Sequence, residues 1–507
     1  MLARRAAAFV AMSVLAGCAA NPALVQSAAG PQAGSPAVIL ATGPVAPFHV
    51  CGNASLLAGP SAPPPGAVTI AAGDDTAFAP APKTTYWFAP GTHTFGSSPY
   101  GQIIPEPHDV FIGAPGAILD GKLKNLYAFT QHAAGVTVEY LTIQNFGPAG
   151  SNQNAGVVNH DSGPGWIIEH NTIQDDAGAG AFLGSRNVLR YNCLRDNGQY
   201  GFSVYAPGGV SNVVVDHNEI AGNDTYHWEQ HVSGCGCTGG GKFWDTDHAT
   251  ITDNWIHNNV GPGLWADTDN NDFDISGNYL DRNDGEAVII EISYNASIVG
   301  NVMLRNALVY GPKNPGFPTG AIYISESGGD ARVPARYSTI EIADNAFDDD
   351  WAGVVLWENA DRFCNSPANT STGYCTLVDP RVVNLHTCVA GTIRRQPYYG
   401  DCRWKTQNVV VERNTFSFDP SSIAGCTVAA TCGFQGLFSN WGTYPSWSPY
   451  QGQRIERAIT FAQHDRFRDN AYTGPWHFMA HDQSVVLSAS QWQAAPYRQD
   501  RGSSFSP

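Results

Sequence analysis

The sequence predicts an all-β chain wound as a single parallel β-solenoid. Three observations carry that reading. A short strand motif closed by asparagine recurs through most of the chain, and such internal periodicity is the mark of repeat architectures. Glycine supplies 54 of the 507 residues, and charged residues only 14%, against roughly a quarter in an ordinary domain. Hydrophobic residues make up 43% and aromatics 11%, enough to bury a large core and to exclude a disordered chain. The 27 basic and 44 acidic residues leave a net charge of −17. With no basic stretch to break that field, nucleic acid is disfavoured as a partner. No apolar run beyond the N-terminal segment reaches the roughly 20 residues of a spanning helix.

In chain order, Arg4 and Arg5 precede a short apolar stretch from Ala6 to Ala16, and then Leu15-Ala16-Gly17-Cys18. A stretch this short reads as a signal peptide rather than a membrane span. Its ending resembles the bacterial lipobox, which implies lipidation of Cys18. The expectation is a chain exported and lipid-anchored to a bacterial membrane, facing the periplasm or the cell exterior. Residues 1–18 form the leader, and residues 19–46, rich in Ala, Pro, Gly and Ser, suit a flexible tether. Residues 47–507 form the folded domain. The cysteines after Cys18 form an even set, which outside the cytoplasm suggests disulfides. Cys364/Cys375, Cys388/Cys402 and Cys426/Cys432 are the plausible local pairs.

The repeat reads apolar-x-apolar-x-x-Asn-x-apolar. Copies end at Asn171, Asn218, Asn254, Asn278, Asn301, Asn345 and Asn414, and a copy one residue shorter ends at Asn192. The period lies in the low twenties, with insertions. Alternating apolar residues make a short strand with one face inward. Asn sits where the strand must bend, since it tolerates left-handed backbone, and stacked copies can form an amide ladder. A second strand in each copy opens on Gly or a small residue, as in Gly201-Phe-Ser-Val-Tyr205, Gly241-Lys-Phe-Trp-Asp245, Gly263-Leu-Trp-Ala-Asp267, Ala287-Val-Ile-Ile-Glu291 and Gly353-Val-Val-Leu-Trp357. A coil alone cannot bury its apolar face, so neighbours must stack.

Across roughly residues 80 to 480 these copies resemble the right-handed parallel β-helix of the pectate-lyase-like superfamily. The resemblance implies that the Gly-led strands build the sheet whose outer face forms the substrate groove in polysaccharide-acting members. Regular repeats are expected over about 130–420 and a cap over about 420–507. Trp244-Asp245-Thr246-Asp247 echoes one signature of the polygalacturonase-like hydrolases; their other signatures, and those of pectate lyases, are missing.

Aligned on their leading residues, the Gly-led strands put Asp245, Asp267 and Glu291 at one position in three consecutive coils. Asp247 and Asp269 follow two residues later, while Glu326 and Glu358 fall one residue out of register. Parallel strands lie ~4.8 Å apart, and like charges stacked at that spacing are destabilising. The column therefore points to acid/base or nucleophilic work on a glycosidic bond, to oxygen ligands of a hard cation such as Ca²⁺, or to a solvated acidic stripe. No cofactor is firmly implied. Adjacent rungs suit the carboxylate spacing of retaining glycosidases, and alternate rungs that of inverting ones. Two insertions, over 224–241 and from Glu358 to near Asn408, read as walls of a groove. Trp244, Trp357, Trp265 and Trp228 lie beside it as sugar-stacking candidates, with core packing as the alternative. Lys242, one of few lysines, opens an acidic rung as counter-ion or base. His227, His231, Cys235 and Cys237 have zinc-like spacing, although an exported chain favours their oxidation.

The functional expectation is a polysaccharide-active enzyme. In it Asp245, Asp267 and Glu291 are catalytic, with Lys242, Trp244, Asp247, Asp269, Glu326, Trp357 and Glu358 binding substrate. A glycoside hydrolase leads. A uronate lyase or epimerase using Lys242 as base, or a non-catalytic glycan-binding β-helix, are the alternatives. An acidic groove repels polyuronates, which favours neutral glycans.

Overall fold

The computed structural model describes residues 47–313, 319–367, 381–426, 432–440, 445–450 and 456–507. Cys18, the expected leader and tether, and Cys375 lie outside the described residues. A few side chains dictate each coil. In the coil that begins at Ile167, Ile167–Glu169 and Thr172–Gln174 are strands whose central Ile168 and Ile173 are fully buried between half-buried neighbours. That is the period-two alternation of a strand with one wet face. Only His170 and Asn171 separate the two strands.

The left-handed bend falls one residue before the asparagine, not on it. His170, Tyr191, His217, Asp253, Asp344 and Arg413 all have positive φ at this corner, each costing a non-glycine residue ~1–2 kcal/mol. The asparagine offsets the cost by the expected amide ladder. Asn278 accepts from the backbone N–H (3.1 Å) and Nδ2 (2.9 Å) of Asn254, and donates to the Ile251 carbonyl (2.8 Å) and Asn301 Oδ1 (3.0 Å). The pattern repeats from Asn171 to Asn470. A second ladder stands five residues further along each coil, through Asn197, Asn223, Asn259, Asn283 and Asn306, with Asp176 and Asp350 at its ends. These ladders satisfy backbone groups that a bend buried inside a solenoid would otherwise orphan.

Three sheets build the solenoid among the described residues. Sheet A has 13 strands, from Val68–Ile70 to Arg466–Arg468; sheet B has 14, from Gly73–Asp74 to Ser504–Ser506. Sheet C has 11, from Gly156–Val158 to Val486–Leu487, and contains the Gly-led strands. Pairing is parallel except for Val486–Leu487 on His477–His481. The core is a set of stacked rows. Ile168, Leu189, Val215, Ile251, Ile275 and Ile298 form one, each at most 2% exposed and each contributing ~1.5–3 kcal/mol by burial. Rungs continue past residue 420, because Arg466–Arg468, Ala471–Thr473 and His477–His481 join sheets A, B and C. The short helix Ala489–Gln493 then lays buried Trp492 against Phe478.

Cys388–Cys402 and Cys426–Cys432 close local loops as their spacing suggested. Cys51–Cys193 spans 142 residues and ties the N-terminal strap to sheet B. Cys235–Cys237 is also oxidised, which removes the thiolates that the zinc spacing required.

Candidate active site on the outer face of sheet C

Strand register decides which side chains meet. Sheet C pairs Gly241 with Leu264, Leu264 with Val288, Val288 with Ile322 and Ile322 with Val354. Alignment on the leading glycines matched Gly241 with Gly263 and is therefore one residue out. A one-residue slip turns a side chain to the other face. Lys242, Trp265, Ile289, Tyr323 and Val355 form one outward row. Phe243, Ala266, Ile290, Ile324 and Leu356 point into the core, each no more than 3% exposed. One step further, Trp244, Asp267, Glu291, Ser325 and Trp357 form the second outward row.

The expected column of Asp245, Asp267 and Glu291 thus does not stand. Asp267 and Glu291 occupy adjacent rungs, and Trp244 takes the place assigned to Asp245. Asp245 sits one position on, at the corner leading to sheet A, with a φ of 45°, and burial raises its carboxyl. Asp269 shares that corner, and burial together with the Asp245 charge pushes it up to about 7. Glu326 and Glu358 are fully buried and do not reach the cleft. Glu326 is pushed up to about 7, first by burial, and Glu358 pairs with Arg403 at 3.1 Å. Asp247 lies on sheet A, exposed and bonded to Asn271 (2.8 Å). Trp228 is 6% exposed inside the 224–240 insertion.

What the fold does bring together is a cleft of about 980 Å³ over sheet C, lined among others by Tyr205, Trp244, Trp265, Asp267, Glu286, Glu291, Tyr310, Trp357 and Arg362. The volume and the aromatic lining are those of a ligand site. The insertions wall it as anticipated. Glu229 accepts from the backbone N–H groups of Gly234 (3.0 Å) and Gly236 (3.1 Å), folding the disulfide-closed loop into one rim. Arg362, from the excursion after Trp357, enters from the other side.

Five ionisable groups define the electrostatics. Lys242 points outward yet is 1% exposed. Its Nζ donates to the Gly236 carbonyl (2.5 Å), lies 3.0 Å from Asp267 Oδ2 and 3.7 Å from the Trp265 ring centroid. All three are partners an ammonium seeks. Asp267 also accepts from Trp244 Nε1 (2.6 Å) and the Thr268 hydroxyl (3.0 Å). Burial works against its ionisation, but the Lys242 charge and these hydrogen bonds outweigh it and hold the carboxyl below the ordinary range. Glu291 accepts from Trp265 Nε1 (3.2 Å) and from Arg362, which also reaches Glu326 (3.2 Å). Glu286 is 6% exposed; burial, reinforced by the Glu291 charge, pushes it up to about 7. The site thus holds one carboxyl kept ionised and another kept protonated to near neutrality, the separation that acid/base chemistry uses.

Glu286 and Arg362 were not singled out from sequence. Glu286 lies in a turn outside the periodic strand positions, where no pattern marks it. Arg362 was visible only as part of the Glu358–Cys364 segment. For a cation, the described residues offer Asp216, His217 and Asp253 at the corner between sheets A and B, and Glu229 beside Cys235 and Cys237; the latter pair is a disulfide.

A family model described as right handed beta helix region matches residues 127–235 and 155–334. No curated protein matches the chain by sequence. Among solved structures, the chain is similar to the catalytic unit of a thermostable GH87 alpha-1,3-glucanase from Streptomyces thermodiastaticus strain HF3-3. The identity is 12% and the TM-score 0.50, over 89% of this chain and 70% of that one. It is also similar to a mannuronic acid specific polysaccharide family 6 lyase from human gut microbiota, at 11% identity and TM-score 0.51, over 87% of this chain and 91% of that one. At such identities the likeness establishes architecture. The chain is a right-handed parallel β-helix.

Proposed function

We propose that the sheet C cleft is the active site of a polysaccharide-cleaving enzyme, and that the reaction is hydrolysis of a neutral glycan. The observation that carries this reading is the pairing of Asp267, held ionised by Lys242, with Glu286, held protonated, in one aromatic-lined cleft. Asp267 acts as the nucleophile or as the base that activates water. Glu286 donates the proton to the leaving oxygen. Glu291, on the next rung and tied to Arg362, orients the sugar and shapes the field. Trp244, Trp265 and Trp357 offer ring faces for stacking on the glycan.

Lys242 fits the lyase reading poorly, because its amine is already engaged by the Gly236 carbonyl, Asp267 and the Trp265 ring instead of being free to meet a substrate. The carboxylates Asp267, Glu229 and Glu291 outnumber Lys242 and Arg362, so the cleft disfavours a polyuronate. The two solved structures named above are a glucanase and a polysaccharide lyase, which supports a polysaccharide as the substrate. The four described disulfides suit an exported chain, and we propose anchoring through a lipid on Cys18; Cys18→Ala is expected to release the protein from the membrane fraction.

The reaction class is tested by digesting neutral and uronate polysaccharides in H₂¹⁸O. Hydrolysis adds one labelled oxygen per bond cleaved. An unlabelled product with a new ultraviolet-absorbing double bond would establish a lyase. Glycan binding without turnover would reduce the cleft to a lectin-like role.

A further inference from the structure

A second cleft, of about 780 Å³, lies at the C-terminal end of the solenoid and shares no lining residue with the first. It forms between the last rung of sheet A, Arg466–Arg468, and the segment 495–501. Its charge is opposite to that of the whole molecule. Arg466, Arg468, Arg498 and Arg501 line it, with His464 beside them. Ten described arginines, from Arg190 to Arg468, pair with a carboxylate. Exposed Arg466, Arg498 and Arg501 make no side-chain ion pair or hydrogen bond among the described residues. Their being left unmatched in a chain of net charge −17 is not explained by packing.

The one carboxyl among the cleft's described lining residues does not quench them. Asp465 is 4% exposed and turns to the Val409 N–H (3.1 Å), and burial drives its carboxyl well above the ordinary range. Beside the arginines, Phe461 and Tyr497 stack with centroids 6.1 Å apart. Phe461 is 45% exposed, and His481 borders both rings. Guanidinium forks match carboxylates or phosphates in plane. An exposed aromatic face adds a platform for a sugar ring, which a bare phosphate chain does not use.

We propose that this cleft is a non-catalytic binding site for an acidic saccharide, with a uronate carboxylate on the Arg466/Arg498/Arg501 cluster and its sugar ring against Phe461. It lets the protein hold an acidic polymer at one end while the acidic sheet C cleft works on a neutral one.

The test uses the full chain in calorimetric titrations with a hexameric oligogalacturonate, a neutral glucose hexamer and an inorganic polyphosphate, at 50 and 300 mM salt. The uronate oligomer is expected to bind, more weakly at high salt, and the glucose hexamer not to bind at this cleft. Arg498→Ala/Arg501→Ala should weaken uronate binding at least tenfold, and Phe461→Ala several-fold, with the melting temperature and neutral-glycan hydrolysis unchanged. No uronate binding, affinity untouched by the arginine pair, or polyphosphate bound equally well without dependence on Phe461 would each overturn the proposal. Loss of hydrolysis in the folded arginine variant would contradict the independence of the two sites. A failure to hydrolyse any glycan, with uronate binding intact, would count against the sheet C reading alone.

Discussion

Replacing Lys242 by methionine keeps the length of the side chain and removes the charge that Asp267 depends on. The ammonium lies 3.0 Å from the carboxylate, at 2% and 18% side-chain exposure. Removing one partner of a buried pair costs ~3–5 kcal/mol when the other is left charged. A charged hydrogen bond alone is worth ~1.5–3 kcal/mol, or about 1–2 pH units of titration. In the native protein Asp267 titrates below the ordinary carboxyl range. Its ionised form therefore adds stability that is present above the unfolded pKa, near 4, and lost as pH falls through the lower folded value. In Lys242→Met, burial prevails and the carboxyl moves up, so the variant instead loses stability as pH rises. The melting-temperature deficit of the variant should be largest near pH 7 and shrink toward pH 4. The acid limb of kcat/KM should move up by about 1–2 units. Those two curves, measured on one set of buffers, are the assay. A deficit independent of pH, with an unmoved acid limb, would mean that Lys242 only fills space and that its pairing with Asp267 has no chemical consequence.

The other predictions concern the acid, the ladder and the sugar platform. Glu286→Gln should lower kcat by ~10²–10⁴ and remove the fall in native activity above about pH 7 that deprotonation of Glu286 produces; an unchanged alkaline limb would dismiss it as the donor. Asp245→Asn should leave kcat within a few-fold of native, because Asp245 stands at a corner outside the cleft lining. Asn278→Leu removes five hydrogen bonds at 2.8–3.2 Å and should destabilise the chain by ~2–4 kcal/mol, since each orphaned buried group costs ~1–3 kcal/mol; a chemical denaturation midpoint unchanged from native would contradict the ladder's role. Trp265→Ala should raise KM for long glycans more than it lowers kcat.

The coil was legible because its determinants are local. Apolar alternation and the recurring Asn mark each strand and bend, and repetition multiplies a weak signal. The left-handed residue escaped notice because Tyr, His, Asp, Gly and Arg all serve there. What they share is backbone conformation imposed by the Asn that follows, not side-chain chemistry. The second ladder, five residues on from the first, was legible in principle from paired asparagines such as Asn218 and Asn223.

The site was harder to read for one reason. Register between rungs is set by where each strand begins to pair, and the glycine that opens the motif is not that point. Gly263 precedes the paired residues of its coil, whereas Gly241 is itself paired with Leu264. That single offset exchanged Trp244 for Asp245. Glu326 and Glu358, by contrast, do lie one residue out of register, one position beyond the row that Glu291 shares with Ser325 and Trp357. Lys242, Asp267, Glu291, Trp244 and Trp357 nonetheless sit in the predicted sheet, around one cleft. Glu286 and Arg362 arrive from turns, where periodicity carries no information.

A structure of inactive Asp267→Asn with an uncut oligosaccharide of the glycan that the native protein degrades tests the central claim most directly. The account predicts a sugar chain lying along sheet C, with rings on Trp265 and Trp357 and a glycosidic oxygen within hydrogen-bond reach of Glu286. A chain bound elsewhere, or one whose glycosidic bonds all lie beyond reach of both position 267 and Glu286, would contradict it.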